Sequence, residues 1–170
     1  MHSMIETIRR NQAKLEPLLG GRLAARMSAD DREGAEHAVK GEIPFRWNGL
    51  NFTPVGRRDI DWKGSHHRHQ EWPAQLNRFF VLGPLAVCYR DTGDERYAQA
   101  AADYLRDWLR AHPVVDGRWE KPPYDNVLNL CIRMGETKRL GWIGALPVFA
   151  ASPAFDEALI TELWHALRSL

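Results

Sequence analysis

The chain has 170 residues, 44% hydrophobic and 26% charged, with a formal net charge of +1. That size and balance suit a single globular domain with a real core. Near-neutral charge argues against a broadly basic nucleic-acid binder, and no run of about 18 apolar residues is present to span a membrane. The stretch Met1 to Arg10 lacks the apolar core of a signal peptide, which leaves cytoplasmic and periplasmic locations both open.

Apolar residues at Ile5, Ile8, Leu15, Leu18 and Leu19 recur at a helical spacing that Gly20-Gly21 ends. Arg22 to Met27 reads as a short helical piece. Ser28 is an N-cap candidate, Asp30 and Asp31 favour the first turn, and Gly41 suits the stop after Lys40. From Glu42 to Gly56 the pattern turns extended. Asn48-Gly49 between Phe45, Trp47, Leu50 and Phe52 favours a tight hairpin, so a small β-ribbon is expected near 43–56. Residues 57–70 are polar, basic and irregular.

Helix returns at Trp72 with Pro73 in its first turn, and Leu76, Phe79, Phe80, Leu82, Leu85, Ala86 and Tyr89 form one wide apolar face. Thr92-Gly93-Asp94 connects it to a helix carrying Tyr97, Ala101, Tyr104, Leu105, Trp108 and Leu109, which stops near Pro113. Two helices so joined pack as an αα-hairpin. Val114 to Pro123 reads as a loop holding Trp119. A helix is expected over Tyr124 to Ile143, burying Val127, Leu128, Leu130, Cys131, Met134, Leu140 and Trp142. Ser152-Pro153 starts a last helix running from Ala154, with Phe155, Leu159, Leu163, Trp164 and Leu167 inside. Cys88 and Cys131 sit in apolar helical patterns without metal-ligand spacing and read as core thiols. The sum is an all-α domain of successive hairpins. A bundle, an irregular solenoid and an α/α toroid all fit that periodicity, and no fixed-period repeat is present.

The loop before the second hairpin concentrates the chemistry. Arg57, Arg58, Lys63 and Arg68 face Asp59 and Asp61, with His66, His67 and His69 added. Such a loop attracts an anion without making the domain basic, although charge runs are usually solvated surface. Trp62 and Trp72 border it; each either stacks on a sugar face or anchors the loop in the core. His67 and His69 either hydrogen-bond a sugar or belong to an exposed polar loop. No metal is expected there, since a fixed set of ligands is lacking. Gln75 and Arg78 share a helical face. Arg78 either holds a carboxylate through two parallel bonds or pairs with Asp59 or Asp61. Arg133 lies within an apolar helix and needs a partner, with Asp125 or Glu136 as candidates, or faces a cleft. Tyr124 and Asn126 sit at a helix start where they could line a cleft entrance.

The order of Asp59-Ile-Asp-Trp62, Leu76-Asn-Arg78, Thr92-Gly-Asp-Glu-Arg-Tyr97, Asp107-Trp108 with Pro113, Trp119, and Ile132-Arg133 resembles the N-terminal helical domain of the heparinase II/III-like polysaccharide lyases, a group related to alginate lyases. The likeness covers roughly residues 40 to 145. It implies an incomplete α/α toroid over residues 1–170. Further toroid helices and a β-sandwich domain are expected beyond Leu170. The implied reaction is β-elimination at a uronic acid of an anionic polysaccharide. Candidate substrate contacts are Trp62, His67, His69, Trp72, Gln75, Arg78 and Arg133. The family's catalytic Asn-His element has no counterpart here, so no catalytic residue is assigned, no cofactor is expected, and the chain alone is expected to be inactive. The remainder of its own full-length chain is the expected partner. Two rival readings stand beside this one. A glycoside hydrolase on an α/α barrel needs two opposed carboxylates, which Asp59 and Asp61 on one extended stretch do not supply. A non-enzymatic helical scaffold would use the Trp/His/Arg loop as a protein-binding patch.

Overall fold

The computed structural model describes residues 3–15, 26–45, 51–115, 118–119, 127–135 and 141–168. Within them the chain forms α1 (Met4–Leu15), α2 (Ala29–Lys40), β1 (Glu42–Phe45), β2 (Asn51–Pro54), α3 (Glu71–Asn77), α4 (Leu82–Thr92), α5 (Glu95–Ala111), β3 (Val114–Val115), β4 (Arg118–Trp119), α6 (Val127–Met134), α7 (Trp142–Phe149) and α8 (Glu157–Arg168). The class is all-α with a small antiparallel ribbon, β1–β2, as expected. Helix α4 is the centre. It packs on α2, α5 and α7, while α1 and α8 close over α7 and α5. Leu82, Leu85, Ala86 and Cys88 on α4 have no exposed surface, as a helix covered from several sides requires.

Local chemistry sets several boundaries. Ser28 and Asp31 form a capping box: the Ser28 hydroxyl accepts from the Asp31 amide at 3.1 Å, and Asp31 accepts from the Ser28 amide at 3.1 Å. Gly41 ends α2 at φ 86°, a left-handed conformation. A β-carbon there would lie 2.8 Å from the Gly56 α-carbon, because the Gly41 carbonyl accepts from both Val55 and Gly56 amides. This contact ties the end of β2 to the start of β1. The strands pair antiparallel with Glu42 opposite Pro54 and Phe45 opposite Asn51. The Asn48-Gly49 turn lies outside the described residues. Asp94 caps α5 by accepting from the Arg96 amide at 3.0 Å.

The structure corrects the sequence reading at several points. The helix expected from Trp72 through Tyr89 is two helices. The chain breaks after Arg78, where Phe79 adopts φ 56°. Pro84 explains the interruption, since its ring would clash with the carbonyl of residue 80 in a continuous helix. Val114 and Val115 pair with Arg118 and Trp119 as a two-stranded ribbon rather than a loop. The single helix expected over 124–143 is also two. Helix α6 ends at Met134, and Gly135 at φ 116° turns the chain. Gly141 then returns so close that a β-carbon on it would lie 2.3 Å from the Arg133 carbonyl oxygen. Trp142 therefore opens α7 instead of closing α6. The last helix starts at Glu157, not Ala154. Asp156 accepts from the Leu159 amide at 2.8 Å, whereas Ser152, whose hydroxyl accepts from the Ala154 amide at 3.1 Å and donates to Glu95 at 2.5 Å, closes only a turn.

Three residues expected inside, Leu128, Cys131 and Trp164, are exposed. Leu128 and Cys131 lie three apart on one face of α6, the face turned from Asn129 and Arg133, which are buried. Cys88 is buried, as read. The expectations for Leu18, Leu19, Gly20-Gly21, Tyr124, Asn126 and Leu140 and for the Leu167 side chain fall outside the described residues.

Candidate functional site

Residues 57–70 are held to the helices from below. The Asp107 carboxylate on α5 accepts from the Asp59 amide at 2.7 Å, the Ile60 amide at 3.0 Å and the Trp62 indole at 2.9 Å, and Arg110 also bonds to it. Burial pushes the Asp107 carboxyl upward, but the Arg110 guanidinium and these N–H donors outweigh it and hold it below the usual carboxylate range. Asp59 sits at φ 54°, a left-handed conformation that Asp tolerates better than most residues. Asp61 closes the turn on itself. It accepts from the Lys63 amide at 3.1 Å, the Ser65 amide at 3.0 Å and the Ser65 hydroxyl. The Ser65 hydroxyl is the main reason its carboxyl also titrates low. Neither Asp59 nor Asp61 pairs with Arg78, contrary to one reading of the sequence.

Trp62 is buried with its ring stacked on Phe79, centroids 5.4 Å apart. Trp72 is fully buried against Phe45, edge to face at 5.0 Å, and its indole donates to His66 Nδ1 at 3.3 Å. The histidines converge on the same two rings. His67 stacks on Phe45 at 4.9 Å and meets Trp72 edge-on at 4.9 Å, with Nε2 2.7 Å from the Thr53 hydroxyl. His69 meets Phe45 edge-on at 5.3 Å and accepts from the Glu71 amide at 3.2 Å. The loop is thus packed onto the β-ribbon through the imidazoles of His67 and His69, which remain half-buried, while His66 is exposed. Among the described residues, no group of three or more His, Cys, Asp or Glu is arranged to hold a metal ion.

Gln75 and Arg78 project from the face of α3 that meets α6. Arg78 Nε donates to Asn129 Oδ1 at 2.7 Å, and an Arg78 terminal nitrogen lies 3.7 Å from Glu71. Asn129 is buried. Gln75 is 7% exposed, and its carboxamide makes no hydrogen bond among the described residues. Its amide atoms therefore keep access to solvent, since among the described residues only the Trp142 indole nitrogen is both sealed from water and without a hydrogen-bond partner. Arg133 sits deeper. Its Nε donates to the Asn77 carbonyl at 2.8 Å, and its guanidinium carbon lies 4.9 Å from the Trp108 ring centroid. The proposed partners Asp125 and Glu136 lie outside the described residues.

The sequence reading passed over the residue that joins these groups. Asn77 is fully buried. Its amide donates to the Trp62 carbonyl at 3.0 Å and the Pro73 carbonyl at 2.8 Å, and its Oδ1 accepts from the Trp108 indole at 2.9 Å. Trp62, Phe79, Trp108 and Trp142 close around it, with Trp142 meeting both Phe79 and Trp108 edge-on. The available signal was polarity inside an apolar face, at Asn77 on α3 and at Asp107 beside Trp108 on α5. Of the seven predicted contacts, Trp62 and Arg133 join this buried cluster, His67, His69 and Trp72 form the ribbon cluster, and Gln75 and Arg78 stand together between α3 and α6.

Hairpins of helices around one central helix, with a buried Trp-Asn-Arg cluster beneath a basic loop, define the domain. The profile described as Heparinase II/III N-terminus matches residues 5–168, and the chain belongs to that family. It is 26% identical over 149 residues to a heparin-sulfate lyase of Bacteroides stercoris, covering 78% of this chain and 22% of that protein. The crystal structure of the heparan sulfate lyase HepC from Pedobacter heparinus superposes with a TM-score of 0.76 at 21% identity, over 97% of this chain and 26% of that one. A mutant of the same lyase gives the same figures. The chain thus spans about a quarter of the length of these relatives. Among the described residues, no helix is long and apolar enough to cross a membrane.

Proposed function

We propose that this chain is the N-terminal part of a polysaccharide lyase that cleaves a uronic-acid-containing polymer by β-elimination, and that it supplies cleft wall and substrate contacts rather than the catalytic groups. Family membership over residues 5–168 carries the reading. The names of the matched lyases point to a sulfated uronic-acid polymer as the substrate class. In such a reaction a base takes the proton from C5, the C4–O bond breaks, and a C4=C5 double bond forms. The C5 proton is only weakly acidic, so the site must stabilise the developing charge. No residue here is assigned that task.

The contacts divide by depth. Gln75 offers a carboxamide whose hydrogen bonds are open, and Arg78, braced by Asn129, offers its terminal nitrogens to an anionic group. His67 and His69 stand apart from them, on the loop packed against the β-ribbon. Trp62, Trp72 and Arg133 act from beneath, fixing the loop and α3 so that these groups hold one geometry.

Purified chain mixed with a heparan-type oligosaccharide tests this directly. No ultraviolet absorbance from unsaturated uronate is expected, while calorimetry should detect binding. Gln75→Ala and Arg78→Ala should each weaken that binding by about tenfold, measured well below the melting temperature because Arg78→Ala also strips the buried Asn129 of a donor and lowers stability. Formation of unsaturated product by the chain, or binding untouched by both substitutions, overturns the assignment.

A further inference from the structure

A second, separate feature lies between the loop and the outer side of α5. Gln99, Asp103, Arg106, Asp107 and Arg110 recur along that helix at three- and four-residue spacing and, with Arg58 and Asp59, line a cleft of about 390 Å³. Its formal charges cancel: three arginines against three aspartates. The hydrogen-bonding capacity does not cancel, because the two signs lie at different depths. Asp103 and Asp107 are 9% and 5% exposed and form the floor. Asp107 accepts from four donors. Asp103 accepts from Gln99 at 2.9 Å and lies 3.4 Å from Arg57.

The guanidinium groups form the rim. Arg110, 62% exposed, uses one terminal nitrogen on Asp59 and Asp107. Arg106 likewise spends one, on the Ala154 carbonyl at 3.0 Å and Asp156 at 2.8 Å. Arg58 is exposed and makes no hydrogen bond or ion pair among the described residues. A guanidinium carries five N–H donors, so most of the donors at the rim are unspent. Asp59, 83% exposed and 2.9 Å from Arg110, is the one carboxylate of the lining at that level.

We infer that this cleft is an accessory oxyanion site. Arg58, Arg106 and Arg110 grip a sulfate ester or carboxylate of an acidic oligosaccharide, and the ligand displaces the Asp59 side chain, which occupies the arginine fork in its absence. Arg106 and Arg110 are one turn apart, about 6 Å along α5, a span that one tetrahedral or planar oxyanion bridges with its separate oxygens. With the net charge near zero, long-range attraction is small and affinity rests on short charge-assisted bonds, so binding is weak and salt-sensitive. The site uses none of the groups between α3 and α6 and stands whether or not the lyase reading holds.

The test follows the arginine Nε–Hε resonances of the 170-residue chain during titration with a sulfated uronate disaccharide, its desulfated form, and inorganic sulfate. Shifts at Arg58, Arg106 and Arg110 are expected. A response to the sulfated forms alone assigns the site to sulfate, and an equal response to the desulfated sugar assigns it to carboxylate. Arg58→Gln removes an exposed side chain without partners, so the fold is untouched, and it should weaken binding about fivefold or more. Asp59→Asn removes the internal competitor at a left-handed position that Asn tolerates, and it should tighten binding several-fold. Silence at the three arginines with all three probes, or Asp59→Asn leaving affinity unchanged or lower, overturns the inference. Gln75→Ala should leave these titrations unaltered, which separates this site from the one between α3 and α6.

Discussion

The Trp108 indole donates to Asn77 Oδ1 at 2.9 Å, both residues fully buried, and this bond fixes α5 against α3. The same Asn77 side chain holds the loop by donating to the Trp62 carbonyl, and its own carbonyl receives Arg133 from α6. One residue therefore orients three separate segments: the loop and α5 through its carboxamide, and α6 through its backbone carbonyl. Buried polar networks of this kind specify geometry only while every member is satisfied.

Asn77→Leu keeps approximate volume but leaves the Trp108 N–H and the Trp62 carbonyl without their partner. Each orphaned group costs about 1–3 kcal/mol, so a loss of about 3 kcal/mol in urea unfolding is expected, the midpoint falling at constant slope. A loss below about 1 kcal/mol would mean that water or a shifted side chain replaces the amide.

Local signals carried most of the fold. Ser28 with Asp31, Asp94 and Gly41 mark helix ends because capping is settled within a few residues. The breaks at Phe79 and Gly135 were harder to read, since the apolar pattern runs across both. Gly83-Pro84 was the overlooked mark of the first. Trp164 looked buried because α8 was read as having a full apolar face, yet it is exposed. At the candidate site, residue type and spacing singled out Gln75 and Arg78. They could not single out Asn77, whose partners lie 15 and 31 residues away, nor Asn129, which reaches Arg78 across 51. Such pairings exist only once the helices are packed.

Asp107 makes stability depend on acid. Its folded-state pKa lies below the ordinary 3.8, so its contribution is complete above that value and is lost as pH falls through the folded pKa. Asp107→Asn should be less stable at neutral pH, because an amide cannot accept from all four donors or pair with Arg110. Between about pH 5 and about pH 3 its stability should fall less than that of the parent chain. Asp61, Asp91 and Asp94 are shifted the same way, so some slope persists. Parallel pH profiles for the two proteins would contradict this role.

The two cysteines should react at very different rates. Cys88 is buried, and burial, then the nearby Asp31 carboxylate, pushes its thiol up to about 11. Cys131 is exposed on α6. Only a thiolate attacks a disulfide reagent. At about pH 8, therefore, one equivalent of thiol should react quickly under native conditions and the second only on unfolding. Mass mapping should place the fast adduct on Cys131, and Cys131→Ser should abolish it. Two fast equivalents would show that α4 opens readily.

Phe79 tests the break between α3 and α4. Its ring contacts Trp62, Trp108 and Trp142, so truncation to Ala should cost about 3–5 kcal/mol. Its backbone stands at φ 56°, where a side chain costs about 1–2 kcal/mol that glycine avoids. Phe79→Gly should therefore be the milder of the two substitutions, more stable than Phe79→Ala by about 1 kcal/mol in denaturant unfolding. In a continuous helix the order reverses, because glycine is worse than alanine there by about 1 kcal/mol. The sign of that difference thus reports whether the chain runs straight through Arg78 and Phe79 or turns there to bring Gln75 and Arg78 alongside α6.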